Sequence, residues 1–220
     1  MAYQIADDVH WCKANGRYVF LDLSADEYLA LDHSGEIAFA AIMNGNLPDD
    51  ASGSGIQRLL DDGLIEPSDQ PKPTSAPAEL SPPSFAISIV RGPKSGLQII
   101  LQALVCHLAT VWKLRRATLG QAIALVPPSA PAQHALPADE ILCSRVSAFA
   151  ATSRLVSTQD QCVRSSIALI RFLNRFGYRP HLVIGVRMHP FRAHAWVQHG
   201  AVVLTGGLDD VLAFTPILVR

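Results

Sequence analysis

Cys162 and His194 are the two side chains whose types and surroundings could together perform nucleophilic chemistry. Cys162 opens a run in which Val163, Ile167, Ile170 and Leu173 or Asn174 recur on one helical face, which places the thiol in a first helical turn. Unpaired backbone N–H groups and the positive end of the helix dipole stabilise a thiolate there, and the same N–H groups can receive a developing oxyanion. His194 lies in the alternating run Phe191-Arg-Ala-His-Ala-Trp-Val197, which reads as a strand with His194 and Trp196 on one face. A cysteine at a helix start and a histidine on a following strand form the pair of a thiol hydrolase, in which the imidazole takes the thiol proton and later returns it to the leaving amine. Each residue also has a plainer reading, a small buried hydrophobe for Cys162 and a structural strand histidine for His194. Asp209 and Asp210 are the only carboxylates after Asp160, so Asp209, or else Asp210, is expected to orient the imidazole; otherwise they are a solvated acidic pair before Val211.

The other reactive types are placed less suggestively. Cys106 and His107 fall within one apolar helix and Cys143 within another, and all three are expected to be structural. His181, His189 and His199 have no Cys or carboxylate at metal-ligand spacing, so neither a metal nor another cofactor is expected. Gly92-Pro-Lys-Ser-Gly96 lacks the full phosphate-loop pattern. The pairs Asp49-Asp50 and Asp61-Asp62 read as solvated faces. The four cysteines include no CxxC pair, and the N-terminus has no signal-peptide order, which together point to a reducing cytoplasm.

The elements needed to position the pair follow from periodicity and punctuation. Ser95 to Arg116 reads as one long helix, and its apolar stretch Leu97 to Trp112 as a buried one, too short to span a bilayer and followed by the basic run Lys113 to Arg116. Pro127, Pro128, Pro131 and Pro137 interrupt the chain before a helix over 139–153, and Ser157 or Thr158 is the expected N-cap of the helix that carries Cys162 and runs to Phe176. Strands are expected at His181–Arg187, Ala193–Gln198 and Ala201–Leu204, the last two joined by a His199-Gly200 turn. The result is a helix cluster followed by an antiparallel sheet.

The first third of the chain has another character. Residues 1–66 carry three basic and twelve acidic side chains, whereas 85–220 carry fourteen basic and five acidic, a contrast that suits two domains with different partners. Between Glu66 and Ser84 the periodicity gives way to a proline-rich stretch that reads as a semi-rigid linker. The boundaries are thus 1–66, 67–84 and 85–220. Asp8–Lys13, Arg17–Leu23 and Glu27–Asp32 read as strands, with Asn15-Gly16 and Ser24-Ala25-Asp26 as turns; a helix capped by Ser34 follows, and a last one holds Ile56, Leu59 and Leu60. The acidic balance argues against nucleic acid as a partner.

Three segments in order, Cys162-Val-Arg-Ser-Ser-Ile-Ala-Leu169, Leu182-Val-Ile-Gly-Val-Arg187 and Pro190-Phe-Arg-Ala-His-Ala-Trp-Val197, resemble the leader peptidases of lasso-peptide biosynthesis, the B proteins. The resemblance implies an α+β chain: a small winged-helix-like recognition domain of three strands and three helices, then a transglutaminase-like (papain-like) cysteine-protease domain. It implies Cys162 as nucleophile and His194 as base, a lasso-peptide precursor as substrate and an ATP-dependent lasso cyclase as partner; that no stable insertion in a membrane is expected rests instead on the short apolar stretch Leu97 to Trp112. The family's third residue, an Asp about a dozen positions after the His, would fall near Thr205 or Gly206, where no acid stands. Arg17–Leu23, Glu27–Asp32 and Leu59–Glu66 are similar to the recognition domain, which implies that the leader pairs with the strand of Tyr28, Leu29, Ala30 and Leu31 and lies against a helix bearing Ile56, Leu59 and Leu60. A non-enzymatic leader-binding adaptor and amine transfer of the transglutaminase type are the alternatives.

Overall fold

The computed structural model describes residues 2–45, 53–68, 80–87, 96–127, 139–153 and 161–220. The chain divides into two compact units, Met1–Glu79 and Leu80–Arg220. Asp49-Asp50, Gly92–Ser95, Pro128, Pro131, Pro137, Ser157 and Thr158, together with residues 69–79 of the expected linker, lie outside the described residues.

In the first unit, strands β1 (Ala2–Ile5), β2 (Val9–Ala14), β3 (Arg17–Asp22) and β4 (Glu27–Ala30) precede helices α1 (His33–Met43) and α2 (Gly53–Asp61) and strand β5 (Ile65–Ser68). β2, β3 and β4 form an antiparallel meander in that order. Its first turn is the expected Asn15-Gly16, both residues with positive φ, as a twisted two-residue hairpin requires. The second is pinned by Asp22, whose Oδ1 accepts from the backbone N–H groups of Ser24 (2.7 Å) and Ala25 (3.0 Å). α1 begins earlier than expected. Its cap is Asp32, whose carboxylate accepts from Gly35 N at 2.8 Å, so Ser34 lies within the first turn. The core closes around Phe39, with Trp11, Tyr18 and Phe20 packed edge-on to its ring at 4.8 to 5.3 Å between centroids. Among the described residues this unit has two helices, and β1 pairs with β5 in a separate antiparallel ribbon that the resemblance did not call for.

The second unit contains β6 (Phe85–Ala86), α3 (Leu97–Lys113), α4 (Leu119–Ala124), α5 (Glu140–Ser153), α6 (Cys162–Asn174), β7 (His181–Arg187), β8 (Arg192–His199), β9 (Val202–Val203), α7 (Leu208–Leu212) and β10 (Thr215–Val219). The sheet order is β10-β7-β8-β9-β6, with β6 parallel to β9 and the other neighbours antiparallel. The β8–β9 turn is Gly200-Ala201, one residue later than expected, because Gln198 and His199 still pair with Val203 and Val202. α6 is the central helix: Ile167 to Ile170, Phe172 and Leu173 are all buried, and it packs against α3, α4 and α5 and against β7 and β8.

α3 corrects an expectation. Ala103, Cys106, His107 and Thr110 are buried against α5 and α6, but Leu97, Leu101, Val105, Leu108 and Trp112 form an exposed stripe, Trp112 at 76%. A helix covered on one side buries one face whatever its mean hydropathy. No described helix is long and apolar enough to cross a membrane.

Candidate active site

The chain starts α6 at Cys162 itself, with Gln161 in the capping position and, among the described residues, no side-chain cap. The first intrahelical bond runs from Ser165 N to Gln161 O at 3.0 Å, so the N–H groups of Cys162, Val163 and Arg164 precede the helical ladder. The thiol is free and half-buried.

His194 sits on β8 directly opposite Gly185 of β7. Its ring stacks on Trp196 (6.3 Å between centroids, 19° between planes) and lies 5.4 Å from the Phe214 ring. Trp196 is fixed in turn: its Nε1 donates to Gln198 Oε1 at 3.2 Å, and Gln198 Nε2 donates at 2.8 Å to the carbonyls of Ser81 and Gly200. The glycine at 185 is a packing requirement, because a Cβ there would stand 2.8 Å from two atoms of the Trp196 ring. Gly185→Ala is therefore expected to lower the stability of the protein by about 1–3 kcal/mol through overpacking beside His194, measurable as a shift in the denaturant midpoint. An unchanged midpoint would show that Trp196 moves aside freely.

Cys162 and His194 line one cavity of about 640 Å³, together with Ser165 and Ser166 of α6, Phe149 of α5 and the segment Leu204–Gly206. That segment is tied to β8, since Leu204 N donates to Val197 O (2.8 Å) and Val197 N donates to Thr205 Oγ1 (2.9 Å). It brings Gly206 beside the imidazole, where an added Cβ would be 3.9 Å from His194 Nε2. Of the two positions near which the resemblance expects an acid, Gly206 faces the histidine without a side chain, and the Thr205 hydroxyl is bonded to Val197 N. Asp209 and Asp210 follow on α7, both exposed, with Asp210 Oδ2 accepting from Gly207 N at 3.3 Å. Burial pushes the His194 imidazole below its ordinary pKa, the negative charge of Asp210 opposes this, and Arg192 adds to it. Asp210 is thus a candidate carboxylate whose charge raises the imidazole pKa.

His107 and Ser165 were not singled out together by the sequence, yet they meet here. His107 is fully buried on α3, stacked on Phe149 at 4.7 Å, with Nδ1 2.9 Å from Thr152 Oγ1 and Nε2 3.4 Å from Ser165 Oγ. The available signal was the spacing Cys162, Ser165, Ser166, Leu169, which puts two hydroxyls on the face of α6 that bears the thiol. Cys106 and Cys143 remain outside the cavity lining.

In the first unit, Leu31, Ile56 and Leu59 belong to the core, and Leu29 and Leu60 are half-buried against it. Tyr28 is half-buried and Ala30 exposed, on β4, an edge of the three-stranded meander. The set named from the sequence is therefore divided between residues that build the unit and residues on β4, an edge strand among the described residues.

Among curated proteins, the Microcin J25-processing protein McjB of Escherichia coli is 34% identical over 71 residues, 32% of this chain. The match spans about a third, 34%, of that protein's length. No solved structure matches. The family model of the transglutaminase-like superfamily matches residues 105–219, which is more than half of the 220 residues and includes both Cys162 and His194, and the chain belongs to that superfamily.

Proposed function

We propose that this protein is a leader peptidase of lasso-peptide biosynthesis, which holds a precursor by its leader and cleaves leader from core through thiol chemistry. The observation that carries the reading is the shared cavity of Cys162, at the N-terminus of α6, and His194, on β8. Membership of the transglutaminase-like superfamily and the similarity to a microcin-processing protein support it. Cys162 would attack the carbonyl as a thiolate, and the first N–H groups of α6 would receive the oxyanion. His194 would take the thiol proton and protonate the leaving amine; water activated by the same imidazole would then release the leader acid. Asp210 would support the imidazolium electrostatically, in preference to Asp209. The freed core amine would pass to an ATP-dependent cyclase, all within the cytoplasm.

Residues 1–66 would be the recognition domain, 67–84 the linker and 85–220 the catalytic domain. The leader would add as a strand to the β4 edge, with backbone bonds supplying affinity and neighbouring side chains selectivity. Tyr28, Leu29 and Ala30 would border the added strand, while Leu31, Ile56, Leu59 and Leu60 shape the surface beneath it.

Incubation of the full chain with a lasso precursor, read by mass spectrometry, tests the reading. The expected product is a leader with a free carboxylate. An amide-linked leader would replace hydrolysis by amine transfer, and binding without turnover would leave an adaptor. In the same assay a proline at Leu29 or Ala30, whichever N–H faces the ligand, should raise KM by about tenfold with kcat little changed.

A further inference from the structure

The polar chain behind the cavity has a direction that can be worked out atom by atom. Thr152 Oγ1 lies 2.6 Å from Phe149 O, a carbonyl that can only accept, so the Thr152 hydroxyl spends its one proton there. Toward His107 it is then an acceptor, and His107 Nδ1, 2.9 Å away, must be the protonated ring nitrogen. Nε2 of the neutral imidazole is left with a lone pair, and it accepts the proton of the Ser165 hydroxyl at 3.4 Å. Burial, which pushes the His107 imidazole below its ordinary pKa, agrees with a neutral ring. Stacking on Phe149 fixes the ring plane. The Ser165 hydroxyl therefore turns its proton away from the cavity it lines.

We propose that Ser165 is a specificity-determining residue, an obligate hydrogen-bond acceptor in the cavity that receives a backbone N–H of the peptide whose carbonyl Cys162 attacks. The inference rests on the peptidase reading and adds a contact to it. Ser165 lies one helical turn beyond Cys162 on the same face, roughly 5–6 Å away between Cβ atoms. The residue that bears the attacked carbonyl carries its own N–H within that reach, so this is the N–H assigned to Ser165. A freely rotating serine would accept or donate with equal ease. This one discriminates, because its proton is committed to His107 through a chain that ends on a backbone carbonyl.

The test uses the full chain and two peptidyl chloromethyl ketones that carry the residues preceding the cleavage site of a lasso precursor, one with the assigned amide and one with an ester oxygen in place of that N–H. N-ethylmaleimide, which offers no N–H, monitors the reactivity of Cys162 in each variant. The wild-type protein should be alkylated at Cys162 about tenfold faster by the amide than by the ester probe, the worth of one hydrogen bond. In Ser165→Ala the ratio should fall to about one while the maleimide rate stays unchanged, and Ser165→Thr, which restores a hydroxyl, should recover part of the preference. An equal amide-to-ester ratio in wild type and Ser165→Ala, each with a normal maleimide rate, would overturn the assignment and leave the peptidase reading standing. A wild-type protein that reacts with maleimide but with neither peptide probe would overturn both.

Discussion

Cys162→Ala should lower cleavage of the precursor by on the order of 10⁴-fold or more while leader binding stays unchanged. The size follows from the chemistry: an acyl-enzyme cannot form without the thiolate, and the remaining helix N–H groups can only assist direct attack by water. Binding should persist because the substitution lies on α6 of the second unit, whereas β4, the strand proposed to receive the leader, belongs to the first. The alanine also keeps the Cβ of a side chain that is only half-buried at a helix start. Cys12 and Cys106 are buried, so loss of the fast fraction of thiol labelling in Cys162→Ala would assign that fraction to Cys162, with the half-buried Cys143 as the slower remainder. Cleavage within tenfold of wild type would remove the thiol from the mechanism.

The elements around this thiol were unequally legible. β7 was readable from its continuous apolar, β-branched run between His181 and Arg187 and β8 from the alternation over Phe191–Val197, and β8 puts His194 and Trp196 on one face as its period demands. The Asn15-Gly16 hairpin was readable from the two residues that accept positive φ. β1, β5 and β10 were not, for they span four or five residues, two of them contain proline, and their identity as strands depends on partners distant in sequence. The cap of α1 was misplaced because Asp32 and Ser34 are both good capping residues, and only the geometry decides between them. His107 illustrates a deeper limit. In an apolar helix it has the appearance of a packing residue, and its link to Ser165 exists only because α3 and α6 are in contact.

His194→Ala should fall nearly as far as Cys162→Ala, and the double variant should be little slower than either, because a nucleophile and its base act as one unit. A double variant slower by a further hundredfold would show two independent contributions instead. The pH dependence then separates the two carboxylates. The imidazole acts as a base only when neutral, so the acid limb of kcat/KM tracks its pKa, which burial lowers and which Asp210 partly restores. Removing the Asp210 charge takes away the effect that raises the pKa, so in Asp210→Asn the acid limb should move to lower pH. The plateau should fall at the same time, by about tenfold, since the imidazolium formed in the transition state loses its nearby anion. Asp209→Asn should leave the limb in place, because Asp210 is the carboxylate whose charge raises the imidazole pKa. A limb that shifts in Asp209→Asn but not in Asp210→Asn would exchange their roles, and limbs unmoved in both would make Cys162 and His194 a two-residue device supported by the stacked Trp196 ring alone.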